Sequence, residues 1–216
     1  MGQKVNPISF RTGVIYPWAS RWFGTQKDYS DQVLEDFKIR EYMQKKLGGA
    51  GIVRTEIERS LTLIKIIVIV SRPGVVIGKG GSNLEVVKKQ LEDLINRGKP
   101  KNQRQKIDLR VEEASSPDLS AKLVAERISQ QLQKRFPHRR AVAQALERAQ
   151  QAGAKGIKIS LAGRVGGAEI SRTEKYAQGS VPTQTLRADI DYFHEASLTR
   201  SGYVGIKVWI YKGEII

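Results

Sequence analysis

A glycine-rich stretch that follows a long apolar segment limits more strongly than any other feature what this chain can fold into. The apolar segment occupies residues 62–70, and after Arg72-Pro73-Gly74 the chain reads Val-Val-Ile-Gly-Lys-Gly-Gly-Ser at 75–82. Glycines let a ligand approach the backbone closely, because no side chain stands in the way. We expect a helix to begin at Ser82, with Glu85 at capping-box spacing, and its first amides to attract anions. The stretch therefore predicts that a polyanion backbone lies across residues 78–81.

Two other interpretations of these glycines compete with that one. A Walker A phosphate loop needs four residues between its first glycine and Gly-Lys, followed by Ser or Thr. Here Gly74 and Gly78 enclose three residues and Lys79 is followed by Gly80, so the nucleotide loop is excluded. A glycine-rich connector without a ligand is equally compatible with the four residues taken alone. In context, between a short helix opened by proline and a longer amphipathic one, the stretch resembles the loop of the KH RNA-binding module.

The elements predicted around the loop have the order of the second, prokaryotic KH arrangement. We expect a helix from Ser30-Asp31 to Gly48, strands at 52–59 and 61–70, the short helix, the loop, the helix from Ser82 to Gly98, and a strand at 106–111. The strand at 61–70 is almost wholly apolar and is predicted to be central. This predicts a three-stranded sheet with helices.

A run of cations follows the long helix of this predicted domain. Its members, which no acidic residue interrupts, are Arg97, Lys99, Lys101, Arg104 and Lys106. Such a run is often only a solvated loop. Beside a candidate backbone clamp, we interpret it as an extension of the phosphate-contacting surface, and we place Arg72, Gly78, Lys79, Gly80 and Gly81 in the same RNA-binding set.

The charge of the whole chain agrees with an anionic partner. Among 216 residues, 37 are basic and 22 acidic, which gives a formal charge of +15, and both halves of the chain share the excess. Nucleic acid or an anionic membrane surface fits such a field. The longest apolar run is too short to span a bilayer and contains Lys65, so membrane insertion is not expected. The chain has no cysteine, which is compatible with a reducing compartment and excludes disulfides and thiolate metal sites.

We predict three parts along the chain: a basic and aromatic segment at 1–30, the KH domain at 31–113, and a C-terminal domain at 114–216. In the first part, cations alternate with aromatic residues, as suits phosphate neutralisation and base stacking, although the aromatics could equally pack on the next domain. The fold class is α+β.

The C-terminal domain is predicted to have two layers, two helices on a mostly antiparallel sheet. The helices have apolar stripes and are separated near Pro137, where five basic residues gather. Strands are indicated by strict alternation at 157–161, 186–192 and 206–211. The glycines at 163–167 could cradle a phosphate, but a hairpin turn is the better interpretation.

Residues for catalysis or metal binding are not recognisable in the sequence. His138 and His194 lack metal-ligand spacing. Asp189 and Asp191 share a strand face and could mimic a carboxylate pair, but beside Arg187 they are expected to form surface ion pairs. We therefore expect no catalytic residues, no metal, no cofactor and no enzymatic activity.

Six segments carry a more specific resemblance and together reach from one end of the chain to the other. They are residues 1–7, 20–23, 72–81, 163–170, 185–192 and 205–210. They closely resemble the bacterial-type family of small-subunit ribosomal protein three. Eukaryotic cytosolic relatives lack this start and ending, so the resemblance implies a ribosome of the bacterial cytoplasm or, as the alternative, of an organellar stroma or matrix.

The resemblance also implies partners and a role. Family members lie in the head of the small subunit, contact ribosomal RNA, and have small-subunit ribosomal proteins ten and fourteen as neighbours. One face lies at the entrance of the messenger RNA channel, where members help to hold and unwind the incoming messenger. Arg139 and Arg140 match the pair of cations credited with that role, just before the second C-terminal helix, whereas Ala143 occupies the place of a third cation.

Two other functions remain as alternatives at this point. A free-standing KH regulator could scan single-stranded RNA, although it would not need a C-terminal sheet matched to ribosomal neighbours. A nucleic-acid lyase, as proposed for some eukaryotic relatives, would use a lysine amine with a lowered pKa.

Overall fold

The computed structural model describes residues 4–26, 28–60, 62–97 and 105–215, and does not describe the side chain of Lys79. The chain divides into two compact units, Trp18–Ser115 and Met1–Pro17 with Ser116–Ile216. Residues 1–30, predicted as one segment, are thus shared between the two units.

The helices of the described residues are α1 Pro7–Arg11, α2 Tyr29–Leu47, α3 Pro73–Ile77, α4 Ser82–Asn96, α5 Ala121–Gln133 and α6 His138–Gln151. The strands are β1 Ser20–Arg21, β2 Ile52–Arg59, β3 Leu63–Val70, β4 Lys106–Glu113, β5 Gly156–Gly163, β6 Arg172–Gly179, β7 Ala188–Thr199 and β8 Gly202–Glu214.

The unit at 18–115 has a sheet in the order β1-β2-β3-β4. The central strand β3 pairs antiparallel with β2 and parallel with β4, as the register Ile57↔Ile66 and Ile66↔Leu109 shows. The predicted order of helices and strands is confirmed, but the sheet has a fourth strand, because the two residues of β1 add to β2 in parallel. The predicted residue Leu61 and the helix-ending Gly98 lie outside the described residues.

Helices cover one face of this sheet. Alternate residues of β3 are fully buried there, α2 and α4 each contribute one apolar stripe, and α3 contributes Val76. The members of the two stripes are Ile39, Met43, Leu47, Val87, Leu91 and Ile95. Because the stripes follow helical periodicity, the core of this unit is a direct consequence of the sequence pattern.

The other unit has an antiparallel sheet in the order β6-β5-β8-β7, with α5 and α6 packed on one face. This confirms the predicted two-layer arrangement. The glycines at 163–167 belong to the connection between the antiparallel neighbours β5 and β6, so the hairpin interpretation is confirmed. Strand β6 was not predicted, because its exposed, polar residues show no apolar alternation.

Arg11 fixes α1 to this second unit. Its side chain is completely buried, and its guanidinium donates hydrogen bonds to four backbone carbonyls. These acceptors are Pro7 at 2.9 Å, Thr183 at 3.0 Å, Thr185 at 2.8 Å and Ala188 at 2.7 Å. A buried cation needs such partners to replace water, so Arg11 is a structural residue of this unit.

Candidate nucleic-acid interfaces

The glycine loop has a backbone that other residues adopt only with strain. Gly78 ends α3 with φ 71° and ψ −175°, and Gly80 and Gly81 follow with φ of 61° and 80°. Three positive φ values within four residues explain why the sequence has glycine at these places. The loop leads directly into α4, whose N-terminus attracts anions through its amides and dipole.

Asn83 holds the loop in place on one side. Its Nδ2 donates to the Val75 carbonyl at 3.1 Å, and a Cβ added at Gly78 would come within 2.8 Å of the Asn83 Cβ. At Gly80 and Gly81 an added Cβ would meet no atom within 4 Å. The loop is therefore fixed at Gly78 and open at its middle, where a phosphate can approach. Sequence reasoning missed Asn83, since its role depends on a carbonyl of the preceding helix.

The predicted capping box at this helix is wrong. The helix begins with Ser82 as its first residue, so that Gly81, which has no side chain, is the cap. The left-handed conformation of Gly81 lets the turn at 79–81 run directly into the helix, which moves Ser82 one place inward. Gly81 therefore contributes no side-chain cap to the first turn of α4.

The predicted cations are described in part, and they do not all lie beside the loop. Arg72 is exposed at the start of α3, close to the loop in sequence. Arg97 and Lys106 are exposed at the end of α4 and the start of β4, which is the opposite end of that 15-residue helix from the loop. Lys99, Lys101, Arg104 and the side chain of Lys79 lie outside the described residues. The helices α3 and α4 also expose Val75, Ile77 and Val86 to 53%, 40% and 50%, and none of these three was a predicted site residue. Such a surface can receive phosphates on the loop and bases on the apolar side chains.

Arg139 and Arg140 lie in the first turn of α6, and not before the helix as predicted, because the helix already begins at His138. Both side chains are exposed, as is Ala143 one turn later, while Ala141, Val142 and Ala145 are buried. The cap residue is Pro137, and the first turn has no acidic residue. Cations are unfavourable at a helix N-terminus, by about 0.3–1 kcal/mol each. The helix dipole therefore gives α6 no stabilisation from this pair.

A groove of about 370 Å³ in the unit at 18–115 was not predicted. Its lining includes Trp18, Tyr29 and Phe37, which are 68%, 57% and 64% exposed. Below them lies Asp36, 5% exposed, which accepts hydrogen bonds from Trp22 Nε1 at 2.9 Å and from Arg59 at 2.6 and 2.8 Å. The buried carboxylate of Asp36 is thus fully hydrogen-bonded, and the exposed aromatic rings above it form an apolar surface. Exposed apolar surfaces of this kind bind other proteins.

The acidic pair of β7 does not form the surface ion pairs that were predicted. Asp189 accepts a hydrogen bond from the Tyr16 hydroxyl at 2.5 Å, and Asp191 accepts one from the backbone N–H of Ala121 at 2.8 Å. Arg187 instead pairs with Glu214 at 2.8 Å. Both carboxylates accept hydrogen bonds from donors in other elements, including the first N–H of α5. Their role is therefore structural.

Lys122 is the lysine to compare with the lyase alternative, because the pKa of its amine is lowered. Burial lowers the pKa of its amine, and the charges of Glu126 and Glu195 oppose that effect. The amine lies 6.0 Å from the centroid of the Phe193 ring on β7. These contacts pack α5 against β7 and are those of a structural lysine.

In the part of the chain that the structure describes, no group of His, Cys, Asp or Glu residues is placed to hold a metal ion. Within those same residues, no helix is long and apolar enough to cross a membrane.

Comparison with known families gives two matches on separate parts of the chain. Residues 38–119 match the family described as KH domain, and residues 128–210 match the family described as Ribosomal protein S3, C-terminal domain. The first match contains the glycine loop, and the second contains Arg139 and Arg140. The KH interpretation of the N-terminal fold is thereby confirmed.

Relatives that resemble the chain over its full length carry one common name, "Small ribosomal subunit protein uS3". That of Desulforudis audaxviator is 49% identical over 216 residues, which cover 100% of this chain and 95% of that protein. That of Caldicellulosiruptor bescii is 50% identical, covering 100% and 94%. That of Listeria monocytogenes is 47% identical, covering 100% and 95%.

Proposed function

The chain belongs to the family of small ribosomal subunit protein uS3, and from this premise we propose that it holds and positions messenger RNA at the entrance of the messenger channel. The coarser role follows from the family: the protein is a structural, RNA-binding, non-enzymatic component of the small ribosomal subunit. Its compartment is then the ribosome of a bacterial cytoplasm. The finer role rests on the exposed pair Arg139 and Arg140.

The position of this pair is the observation that carries the proposal. Both residues are exposed at the start of α6, where their charges oppose the helix dipole, so that a favourable dipole interaction does not account for them. An arginine pair beside helix amides binds phosphates irrespective of base sequence. Binding that does not depend on base sequence suits a site past which every messenger must move. Electrostatic contact with the unpaired strand also disfavours re-formation of a messenger duplex.

The glycine loop has a separate part in the proposal. We assign the clamp at 78–81 and the cations Arg72, Arg97 and Lys106 to a segment of ribosomal RNA, together with Lys99, Lys101 and Arg104. Support comes from the open backbone at Gly80 and Gly81 and from the exposed apolar residues beside it. In this proposal the glycine loop anchors the protein to ribosomal RNA, and the arginine pair of α6 contacts the moving messenger.

Ribosomal proteins ten and fourteen are proposed as neighbours, and we assign them to the aromatic groove. The groove exposes Trp18, Tyr29 and Phe37 over the buried Asp36, and aromatic residues of this kind are enriched at protein interfaces. Replacing Trp18 and Phe37 by serine should release these two proteins from purified small subunits, as mass spectrometry of the subunits would show. Retention of both proteins would remove the groove from the proposal.

The experiment that tests the messenger role uses ribosomes carrying Arg139→Ala with Arg140→Ala. These residues are outside the buried stripe, so the subunit should assemble normally. Translation should slow on a messenger with a stable hairpin and remain nearly normal on an unstructured one. The matched control is Arg187→Ala with Arg200→Ala, which removes two exposed arginines of the same unit. Equal slowing on both messengers, or the same effect in the control, would reject the role at the entrance.

The alternative of a free KH regulator is tested by sedimentation of a cell lysate. A ribosomal protein should move with the small subunits through high-salt washing. A soluble pool that contains most of the protein would favour the regulator instead.

A further inference from the structure

The sheet β6-β5-β8-β7 has a second face, which is turned away from α5 and α6. Directly paired residues of an antiparallel sheet share a face, and successive residues of a strand alternate between the faces. Ile159 and Leu161 of β5 are buried in the core under the helices, so Lys158 and Ser160 lie on the second face. Pairing in register extends this outer face across the sheet as Ala177, Lys158, Trp209 and Tyr192, then Lys175, Ser160, Lys207 and His194, then Thr173, Ala162, Gly205 and Ala196.

The outer face is covered at one end and open at the other. At the covered end, Ile190 and Tyr211 are buried in a small apolar cluster that Trp209 borders. At the open end, Tyr203 pairs with Leu198, and the two side chains are 68% and 56% exposed. The outer face thus has a fixed aromatic border on one side and a freely accessible tyrosine ring on the other.

Three lysines lie between these two ends. Lys175 and Lys207 stand on either side of Ser160, both are exposed, and within the described residues neither forms an ion pair. The Nζ of Lys158 lies 5.5 Å from the centroid of the Trp209 ring, a contact that holds the ammonium group without neutralising it. Given the spacing of strands and of residues along them, the Cα atoms of the three lysines lie within about 10 Å of one another.

Acidic residues of the same strands are on the helical side instead. Glu174 is paired with Leu161 in register, and its carboxylate accepts hydrogen bonds from Arg172 Nε at 2.6 Å and from the Tyr176 hydroxyl at 2.5 Å. The hydrogen bond from Tyr176, aided by Arg172, lowers the pKa of Glu174 to about 2, so this carboxylate is ionised near neutral pH. Asp191 accepts its hydrogen bond from the first turn of α5. None of the outer-face positions holds an acidic residue, so the sheet separates its charges and presents cations outward.

From this separation of charge we propose that the outer face binds a single-stranded segment of ribosomal RNA. Its phosphates lie on Lys158, Lys175 and Lys207, and a base stacks on the exposed ring of Tyr203, as bases do on aromatic side chains of other RNA-binding sheets. Like charges at neighbouring positions destabilise a sheet, and bound phosphates relieve that repulsion. The site goes beyond the proposed function, because it includes neither the glycine loop nor the arginine pair of α6.

The choice of ribosomal over messenger RNA follows from the two sides of the sheet. Helix α6, which carries Arg139 and Arg140, packs on the helical side. A messenger that follows this pair runs along the helical side of the unit, and the outer face is turned away from it. The outer face is therefore assigned to a fixed segment of ribosomal RNA.

Crosslinking from residue 203 in assembled small subunits tests the occupant. A photoreactive phenylalanine in place of Tyr203 should crosslink to ribosomal RNA, at the same nucleotides with and without messenger. The matched control carries the same group in place of Ile170, which is 81% exposed in the connection between β5 and β6. Crosslinks from residue 203 to protein alone, or only to messenger, would overturn the proposal, as would crosslinks from residue 170 to the same nucleotides. The subunits without messenger make this result independent of the role of Arg139 and Arg140.

Removal of two of the lysines tests the phosphate contacts. In the full chain, the yield of the residue-203 crosslink to a labelled single-stranded RNA reports occupancy of the outer face and not of the glycine loop. Lys175→Gln with Lys207→Gln should shift the midpoint of this titration to about 25-fold higher RNA concentration at low salt. The matched control is Lys155→Gln with Lys212→Gln, which removes two exposed lysines of the same unit that are not on the outer face. An unshifted midpoint, or an equal shift in the control, would overturn the proposal.

Discussion

Replacing Lys79 and Gly80 by aspartate tests whether the glycine loop binds RNA through its backbone. The change exchanges one positive charge for two negative ones. Gly80 has φ 61° and ψ 21°, and its added Cβ would have open space. Aspartate tolerates this conformation better than most residues, at a cost of about 1 kcal/mol. Acids near the start of α4 recover about 0.3–1 kcal/mol through the dipole, so the melting temperature should change little.

The effect on binding should be much larger. A unit charge in contact with a phosphate contributes about 1 kcal/mol in water, so a change of three charges costs about 3 kcal/mol, roughly 100-fold in Kd at low salt. Loss of one lysine contact should also reduce the slope of log K against log salt by about 0.7 for a single strand. Fluorescence anisotropy with a labelled single-stranded RNA at several salt concentrations measures both quantities on the full chain. Circular dichroism measures the melting.

Lys46→Asp with Gly49→Asp is the matched control. It makes the same change of residue types and charge at the end of α2, in the same unit, where both residues are exposed and a Cβ on Gly49 meets no atom within 4 Å. Parent-like affinity in the loop variant, or an equal loss in the control, would refute the reasoning. The first result would show that RNA does not contact the loop, and the second that only net charge matters.

Three further predictions concern the other unit. Arg11→Ala leaves buried carbonyls without their donor and should cost about 3 kcal/mol or more in the free energy of unfolding, measured by urea denaturation; a loss below about 1 kcal/mol would contradict this. The pKa of Glu174, lowered from 4.5 to about 2, contributes stability above pH 4.5 that is lost as the pH falls towards 2. Acid unfolding should therefore be shallower in Glu174→Gln than in the parent, and identical curves would contradict the assignment. Ala143→Lys should restore a third exposed cation and speed translation through messenger hairpins. An unchanged translation rate would show that residue 143 does not contact the messenger.

The sequence predicted those parts of the fold that depend on periodicity. The stripes of α4, α5 and α6 and the apolar alternation of β5 and β8 follow from local patterns, and the structure has them. Strand β6 could not be found in this way, because it is a polar edge strand held by its register with β5. The order of elements around the glycine loop was also predictable, since glycine and proline mark its turns locally.

The candidate sites were predictable as positions but not as geometries. The glycine loop was identified from its residues, whereas the support from Asn83 depends on a carbonyl eight residues earlier. Arg11 resembled one of several cations in a basic segment, yet three of its four acceptors lie more than 170 residues away. The same holds for Asp189 and Asp191, whose partners belong to distant elements. Pairings between remote residues leave no local signal, and the predicted ion pairs of Asp189 and Asp191 were therefore wrong.

The central claim, that α6 faces the messenger at the channel entrance, is tested most directly by crosslinking from residue 143. A photoreactive amino acid fits there, because Ala143 is exposed one turn after Arg139 and Arg140. In translating ribosomes, irradiation should link it to messenger RNA when the messenger extends downstream to the entrance, and the link should disappear when the messenger is cut shorter. Crosslinks to ribosomal RNA or protein that do not depend on messenger length would contradict the account.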